Sequence, residues 1–305
     1  MSGLWIVFTV LAAGGQTLRN ALQRGLTASL GTVGATHVRF LYGLPFGVLF
    51  LGVVLAVTGL PLPAFNQRAL AWTTLGAISQ IGGTALLLSA MQTRSFVVAT
   101  AYSKTEPVLV ALFGLVFLGD QLTLWLAAAI ALGTMGVVVM SWPKEVGPKT
   151  ATGATTAEAF SWQPVLYGVG SAALFGLAAT GFRGGILALD SPSFIVRAST
   201  ILALGLSIQT ALLSTYLLIR EPQTLVALFR AWRVSVSAGF MGAFASQMWF
   251  LAFALETAAK VRTLALIEIF FAQLISRTLF KQSIASREGL GIAMIVIAVV
   301  ALLWP

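Results

Sequence analysis

The strongest constraint on this chain is that stretches of about 20 residues, nearly free of charge, recur from Leu4 almost to its last residue. A bilayer core about 30 Å thick is crossed by about 20 residues of helix rising about 1.5 Å each. Gly, Pro and charge clusters divide the chain into ten such stretches, approximately 4–22, 34–57, 69–91, 96–118, 122–140, 164–188, 193–219, 234–255, 261–280 and 288–304. They are about twice as long as a barrel strand and lack two-residue alternation, so they read as helices. The predicted fold is an all-α integral membrane protein of ten transmembrane helices.

Composition excludes the alternatives. Only 9% of the residues are charged and 58% are hydrophobic, with a mean hydropathy of +0.94, whereas roughly a quarter of a soluble domain is charged. The net charge of +9 would suggest a nucleic-acid partner in a soluble chain. Here the excess is expected to orient loops and meet anionic lipid, with no nucleic-acid partner. With no cysteine and one histidine there is no disulfide, no thiolate metal site and no cysteine nucleophile, and neither a metal nor a cofactor is expected. Met1 to Leu4 lack a basic segment before the apolar run, so that run reads as the first span rather than a cleaved signal.

The chain also repeats itself. Glu106 to Met140 lies over Glu268 to Leu302 at a constant shift, pairing Glu106 with Glu268 and the turn GDQLT with KQSIA. Arg19 meets Arg183, Arg39 meets Arg197, and GAISQ (Gly76 to Gln80) meets GAFASQ (Gly242 to Gln247), all in the same order. The expected organisation is a five-helix repeat over 1–140, a linker over 141–163 rich in Pro, Gly, Thr and charge, and a second five-helix repeat over 164–305. Five is odd, so consecutive repeats enter the membrane with opposite orientations. Such inverted repeats can exchange conformations and open one central site to alternate sides. The plainer alternative is a duplicated bundle with no exchange.

The segments EPVLVALFGLVFLGDQLT (Glu106 to Thr123) and IEIFFAQLISRTLFKQSIASREGLG (Ile267 to Gly291), in a chain of this span pattern, resemble the drug/metabolite transporter superfamily, in particular its EamA-like branch with two five-span repeats. The resemblance covers nearly the whole chain and implies a transporter with both termini in the cytoplasm. Two departures stand out. Ile269 occupies the place of Pro107, and Gln282 that of Asp120, so the acidic residue of that turn occurs once.

Ionisable groups inside a bilayer cost roughly 2.5–3.5 kcal/mol on insertion scales, so each needs a partner, a wet cavity or a function. Glu106 lies about ten residues into span four, about 15 Å deep, and Glu268 is placed alike in span nine. At equivalent positions of two repeats, they are expected near the pseudo-two-fold axis, where they could bind a cationic group or exchange protons; the alternative is a structural ion pair. Lys104 is a candidate partner, although residues two apart do not share a helix face. Pro107 removes a backbone hydrogen bond and is a candidate hinge. Arg39 and Arg197 either snorkel to headgroups or point inward, to hold a substrate carboxylate or pair with the two glutamates. Tyr102 shares a face with Glu106. Gln80 and Gln247 are expected as hydrogen-bonding walls, with Gln16, Trp72, Trp249 and Phe253 as further pocket side chains, unless the aromatics sit in the interfacial belt. His37 is expected at an interface. Gly43 and Gly47, and Gly181 and Gly185, are spaced for close helix packing.

The basic loop residues do not fix an orientation. Arg19, Arg24, Arg94, Lys144, Lys149, Arg220, Arg230, Arg233, Lys281 and Arg287 fall opposite the termini, against Arg68, Arg183, Lys260 and Arg262 on the terminal side. That distribution turns the termini outward, opposite to what the resemblance implies. The leading expectation is a multi-pass protein of the cell (inner or plasma) membrane, a monomer or homodimer, that exports a small metabolite, amino-acid-like solute or drug, with or without proton exchange. A lipid-intermediate flippase using Arg39, Arg197 and Arg277 is the alternative. A membrane transferase has less in its favour, since the sequence offers no clustered His and Asp, no Gly-rich phosphate loop and no sizeable extramembrane domain. The missing phosphate loop also argues against ATP as the energy source.

Overall fold

A computed structural model describes residues 3–93, 103, 105–141, 162–271 and 286–303, and every element among them is helical. The elements are α1 (Leu4–Leu41), α2 (Leu44–Thr58), α3 (Gln67–Thr93), α4 (Glu106–Phe113) continued by a π-helical turn (Gly114–Leu118), α5 (Leu124–Ser141), α6 (Trp162–Ala188), α7 (Phe194–Arg220), α8 (Pro222–Arg230), α9 (Trp232–Leu255), α10 (Ala258–Leu264) continued by a 3-10 turn (Ala265–Ile267), and α11 (Ser286–Leu303). Five apolar helical stretches among the described residues are long enough to cross a membrane, the first of them running from Leu4 to Thr58, and three shorter apolar helices accompany them. The chain is a multi-pass membrane protein. The expected linker lies outside the described residues except at Ser141, Trp162 and Gln163.

Two boundaries differ from the sequence expectation. The first span runs on beyond residue 22, because Gln23, Leu26 and Leu30 keep a buried stripe at helical spacing and the Gln23 amide donates to the Ala35 carbonyl at 2.8 Å. The helix breaks only at Gly31, where φ 66° and ψ 178° suit a residue without a Cβ. The expected loop after span seven holds the short helix α8, seated by the Tyr42 hydroxyl, which donates to the Leu228 carbonyl at 3.0 Å.

Large apolar side chains face outward, as on α2, where Val48, Leu49 and Val53 are each more than half exposed. In lipid this surface is satisfied, and what holds the bundle is close packing of small residues inside. The main contacts among the described residues run α1 against α9, α3 against α6 and α5 against α11, each joining a helix of the first half to one of the second, followed by α7 against α9 within the second half and α2 against α7. At the α3–α6 contact a Cβ on Gly181 would lie 2.8 Å from the Gly76 nitrogen and 2.9 Å from the Trp72 carbonyl oxygen, and the Ser171 hydroxyl donates to the Gly83 carbonyl at 2.8 Å. These are backbone atoms and cannot swing aside. Gly181→Ala is therefore expected to destabilise the protein by about 1–3 kcal/mol, read as a lower unfolding midpoint in detergent. Gly25→Ala, where a Cβ meets nothing within 4 Å, is expected to leave the midpoint unchanged or raise it.

Candidate functional site

Where the two halves meet, α1, α3, α4, α6, α10 and the segment after α10 surround a small polar cavity of about 10 Å³, room for about one water molecule. Its lining includes Gln16, Arg19, Asn20, Arg39, Gln80, Ser103, Glu106, Arg262 and Glu268. Among the described residues five ionisable side chains share it, and all are buried, with relative exposures of 1% for Arg19, Arg39 and Glu268, 5% for Glu106 and 7% for Arg262. The cost of charge in an apolar surround requires that these groups answer one another.

Two irregular helix starts place the carboxylates. Thr105 is a turn, and Glu106 opens α4 with Pro107 in the first turn, where the missing N–H has no intrahelical role. Glu268 follows the 3-10 turn Ala265–Ile267. Glu106 thus sits in the first turn of a helical segment, where the peptide dipoles favour negative charge, whereas the Glu268 N–H is already bonded back to the Ala265 carbonyl. Glu106 Oε1 lies 3.0 Å from Arg262 Nε. The Arg262 guanidinium in turn stacks 4.2 Å from the Trp249 ring centroid and 5.4 Å from that of Phe253. Trp249 and Phe253, one helical turn apart on α9, lie nearly parallel at 19° with centroids 6.2 Å apart. The Trp249 indole N–H donates to Gln16 Oε1 at 3.0 Å, and Gln16 Nε2 donates to Glu268 Oε2 at 3.0 Å. A continuous chain of contacts therefore joins Glu106, Arg262, Trp249, Gln16 and Glu268.

The other two arginines come from α1. Arg39 Nη1 donates to Thr84 Oγ1 on α3, and Nη2 to Ser246 Oγ on α9, each at 3.2 Å. Arg19 Nη2 donates to Asn20 Oδ1 at 2.6 Å. Both stems pass Gly242, where a Cβ would meet Arg39 Cγ at 3.0 Å and Arg19 Cδ at 3.5 Å. Gly242 lets two guanidinium side chains run side by side.

Residues 3–142 match the model of the EamA-like transporter family. The first half of the chain is similar to that family. No curated protein matches the chain. Chains of solved structures do match; one, named only as a crystal structure of a protein, superposes with a TM-score of 0.68 at 16% identity, covering 98% of this chain and 94% of that one. That likeness concerns the fold alone. The EamA-like half supplies Gln16, Arg19, Arg39, Gln80 and Glu106 to the cavity, and the remainder supplies Arg262, Trp249 and Glu268.

The cavity gathers some of the sequence-derived candidates and not others. Glu106, Glu268, Arg39, Gln80 and Trp249 come together at the cavity or on the side chains that line it. Gln247 is buried but turns to Ser199, donating to its hydroxyl at 3.0 Å, while Gln80 accepts from Gln209 Nε2 at 2.9 Å. Tyr102 and Lys104 lie outside the described residues. Pro107 stands in the first turn of α4, so its hinge role would rest on the turn at Thr105 and not on a hydrogen bond lost inside a helix. Arg197 is half-buried and does not line the cavity. His37 is fully buried, its Nε2 2.9 Å from Ser214 Oγ.

Arg19 and Arg262 were hidden among the loop cations. Arg19 reads as a loop residue only if the first span stops at 22; in a helix continuing to Leu30 it falls near the middle. Arg262 stands at the opening of span nine, six residues before Glu268, and its partner on α4 is remote in sequence.

Proposed function

We propose that the chain is a secondary transporter, working as an exporter of a small metabolite, amino-acid-like solute or drug, by alternating access of two inverted five-helix repeats. The match of residues 3–142 to the EamA-like transporter family supports transport. The observation that carries the proposal is the buried cavity in which Glu106 of one half pairs with Arg262 of the other. A carrier must break and remake contacts between its halves around one site, and a charge pair shared by the halves, linked to further polar groups, is suited to that exchange. Contacts of α1 with α9 and of α3 with α6 are the kind that an exchange of the halves would conserve. Export and proton coupling follow from the sequence expectation, with Glu106 and Glu268 as the carboxylates able to take up protons.

Reconstitution tests this. Liposomes holding the wild-type chain are expected to show saturable flux of at least one solute from a panel of amino acids, organic acids and organic cations, and a pH gradient is expected to change its rate. Glu106→Gln is expected to remove the gradient dependence or the flux itself. Flux no greater than in empty liposomes over the whole panel would refute transport of these solutes, and pH-dependent flux retained in Glu106→Gln would take Glu106 out of the mechanism.

A further inference from the structure

Resting on the carrier function proposed above, we infer that the cavity takes a small organic carboxylate of net charge −1, held between the guanidinium groups of Arg19 and Arg39.

The charge balance of the cavity carries this. Its described lining holds three guanidinium groups, of Arg19, Arg39 and Arg262, against two carboxylates, of Glu106 and Glu268, which leaves one positive charge in excess. Segments 94–104 and 272–285 contain no Asp or Glu, while Arg94, Lys104, Arg277 and Lys281 lie in them. Whatever those segments bring near the cavity cannot cancel the excess. An isolated buried charge costs several kcal/mol even after relaxation, so the excess calls for an anion that enters and leaves with turnover.

The location of the excess follows from the contacts. Arg262 is engaged by Glu106 and by the Trp249 and Phe253 rings. Arg19 and Arg39 run together past Gly242 and make their hydrogen bonds to neutral oxygens, those of Asn20, Thr84 and Ser246, while Glu268 attracts Arg19 through space without a hydrogen bond between them among the described residues. Arg19 Nη1 and Arg39 Nε are buried with no hydrogen-bond acceptor among the described residues. Two neighbouring guanidinium groups, each with a donor to spare, match the two oxygens of a planar carboxylate. A single negative charge brings the described lining to neutrality. A zwitterion would leave the excess in place, and a dianion would reverse it.

The chain has no cysteine, so Leu87→Cys, at a buried position on the cavity lining, provides one reporter thiol without background. Its labelling by a thiol reagent is followed in phosphatidylcholine vesicles, whose headgroups carry no net charge, with added acetate, benzoate, β-alanine, methylammonium or phosphate and an equal concentration of chloride as reference. Acetate or benzoate is expected to slow labelling saturably, by the factor 1 + [L]/Kd, with β-alanine, methylammonium and phosphate at least tenfold weaker. Arg39→Gln or Arg19→Gln is expected to weaken this protection at least tenfold, and Arg39→Lys less. Labelling equal in carboxylate and chloride, protection by β-alanine or phosphate matching that by benzoate, or protection unchanged in a folded Arg39→Gln protein would overturn the inference. If that variant does not fold, the series of probe charges on the native arginines decides alone. Protection with a thiol reached from one face only would retain the anion site and remove the carrier; a thiol reached from both faces without protection would do the reverse.

Discussion

Arg262→Ala is expected to destabilise the protein by about 3–5 kcal/mol and to abolish transport. The guanidinium is 3.0 Å from Glu106 Oε1, and both side chains are less than a tenth exposed. Removing one member of a buried pair leaves the other charge without its counter-charge, which costs far more than the pair's net contribution to stability. The guanidinium also covers the Trp249 and Phe253 rings, contacts worth up to about 2 kcal/mol when desolvated. Arg262→Met with Glu106→Gln separates these effects. The double variant is expected to regain most of the stability, since neither charge remains, and to stay inactive, since the link between the halves is gone. Unfolding midpoints in detergent for the four corners of that cycle give the coupling directly; a coupling near zero would mean that the pair holds nothing together.

Trp249→Ala is expected to cost about 3–5 kcal/mol, the range for emptying a large aromatic from a packed interior. Trp249 is 2% exposed, stacks on Phe253, carries Arg262 on its face and donates to Gln16. Trp249→Phe divides the packing from the hydrogen bond. It keeps an aromatic face for Arg262 but loses the donor to Gln16 Oε1, so the expected loss is about 0.5–1.5 kcal/mol. Gln16 also donates to Glu268. Freed from the indole, its amide can turn, and transport in Trp249→Phe is expected to fall by more than its stability. Equal unfolding midpoints for Trp249→Ala and Trp249→Phe would show that the ring is not a packing element.

The helical, membrane-spanning character is legible in the sequence because bilayer thickness imposes a length on each apolar run, and runs of that length recur. Glu106, Glu268 and Arg39 are legible as candidates because charge inside such a run is costly wherever its partner lies. The partner is not legible. Lys104, its neighbour in sequence, lies outside the described residues; among those described, the cation on Glu106 is Arg262, brought across by the contact of α10 with α4. Arg19 is misread for a different reason. Residues 23–30 contain Gln, Arg, Gly, Thr and Ser and look like a loop, but Gln23 and Leu26 face inward, and the chain turns only at Gly31. Polar residues in a helix that lines a polar cavity carry no hydropathy signal to distinguish them from a loop.

The central claim is that one buried cavity between the halves opens to each face of the membrane in turn. Leu87→Cys, the only thiol in its chain, can be exposed to a membrane-impermeant thiol reagent in right-side-out and in inside-out vesicles. Labelling is expected from both faces, and the reaction from each is expected to slow when the transported solute is supplied at saturation. A thiol that reacts from one face only, or from neither while the protein remains folded, would contradict alternating access.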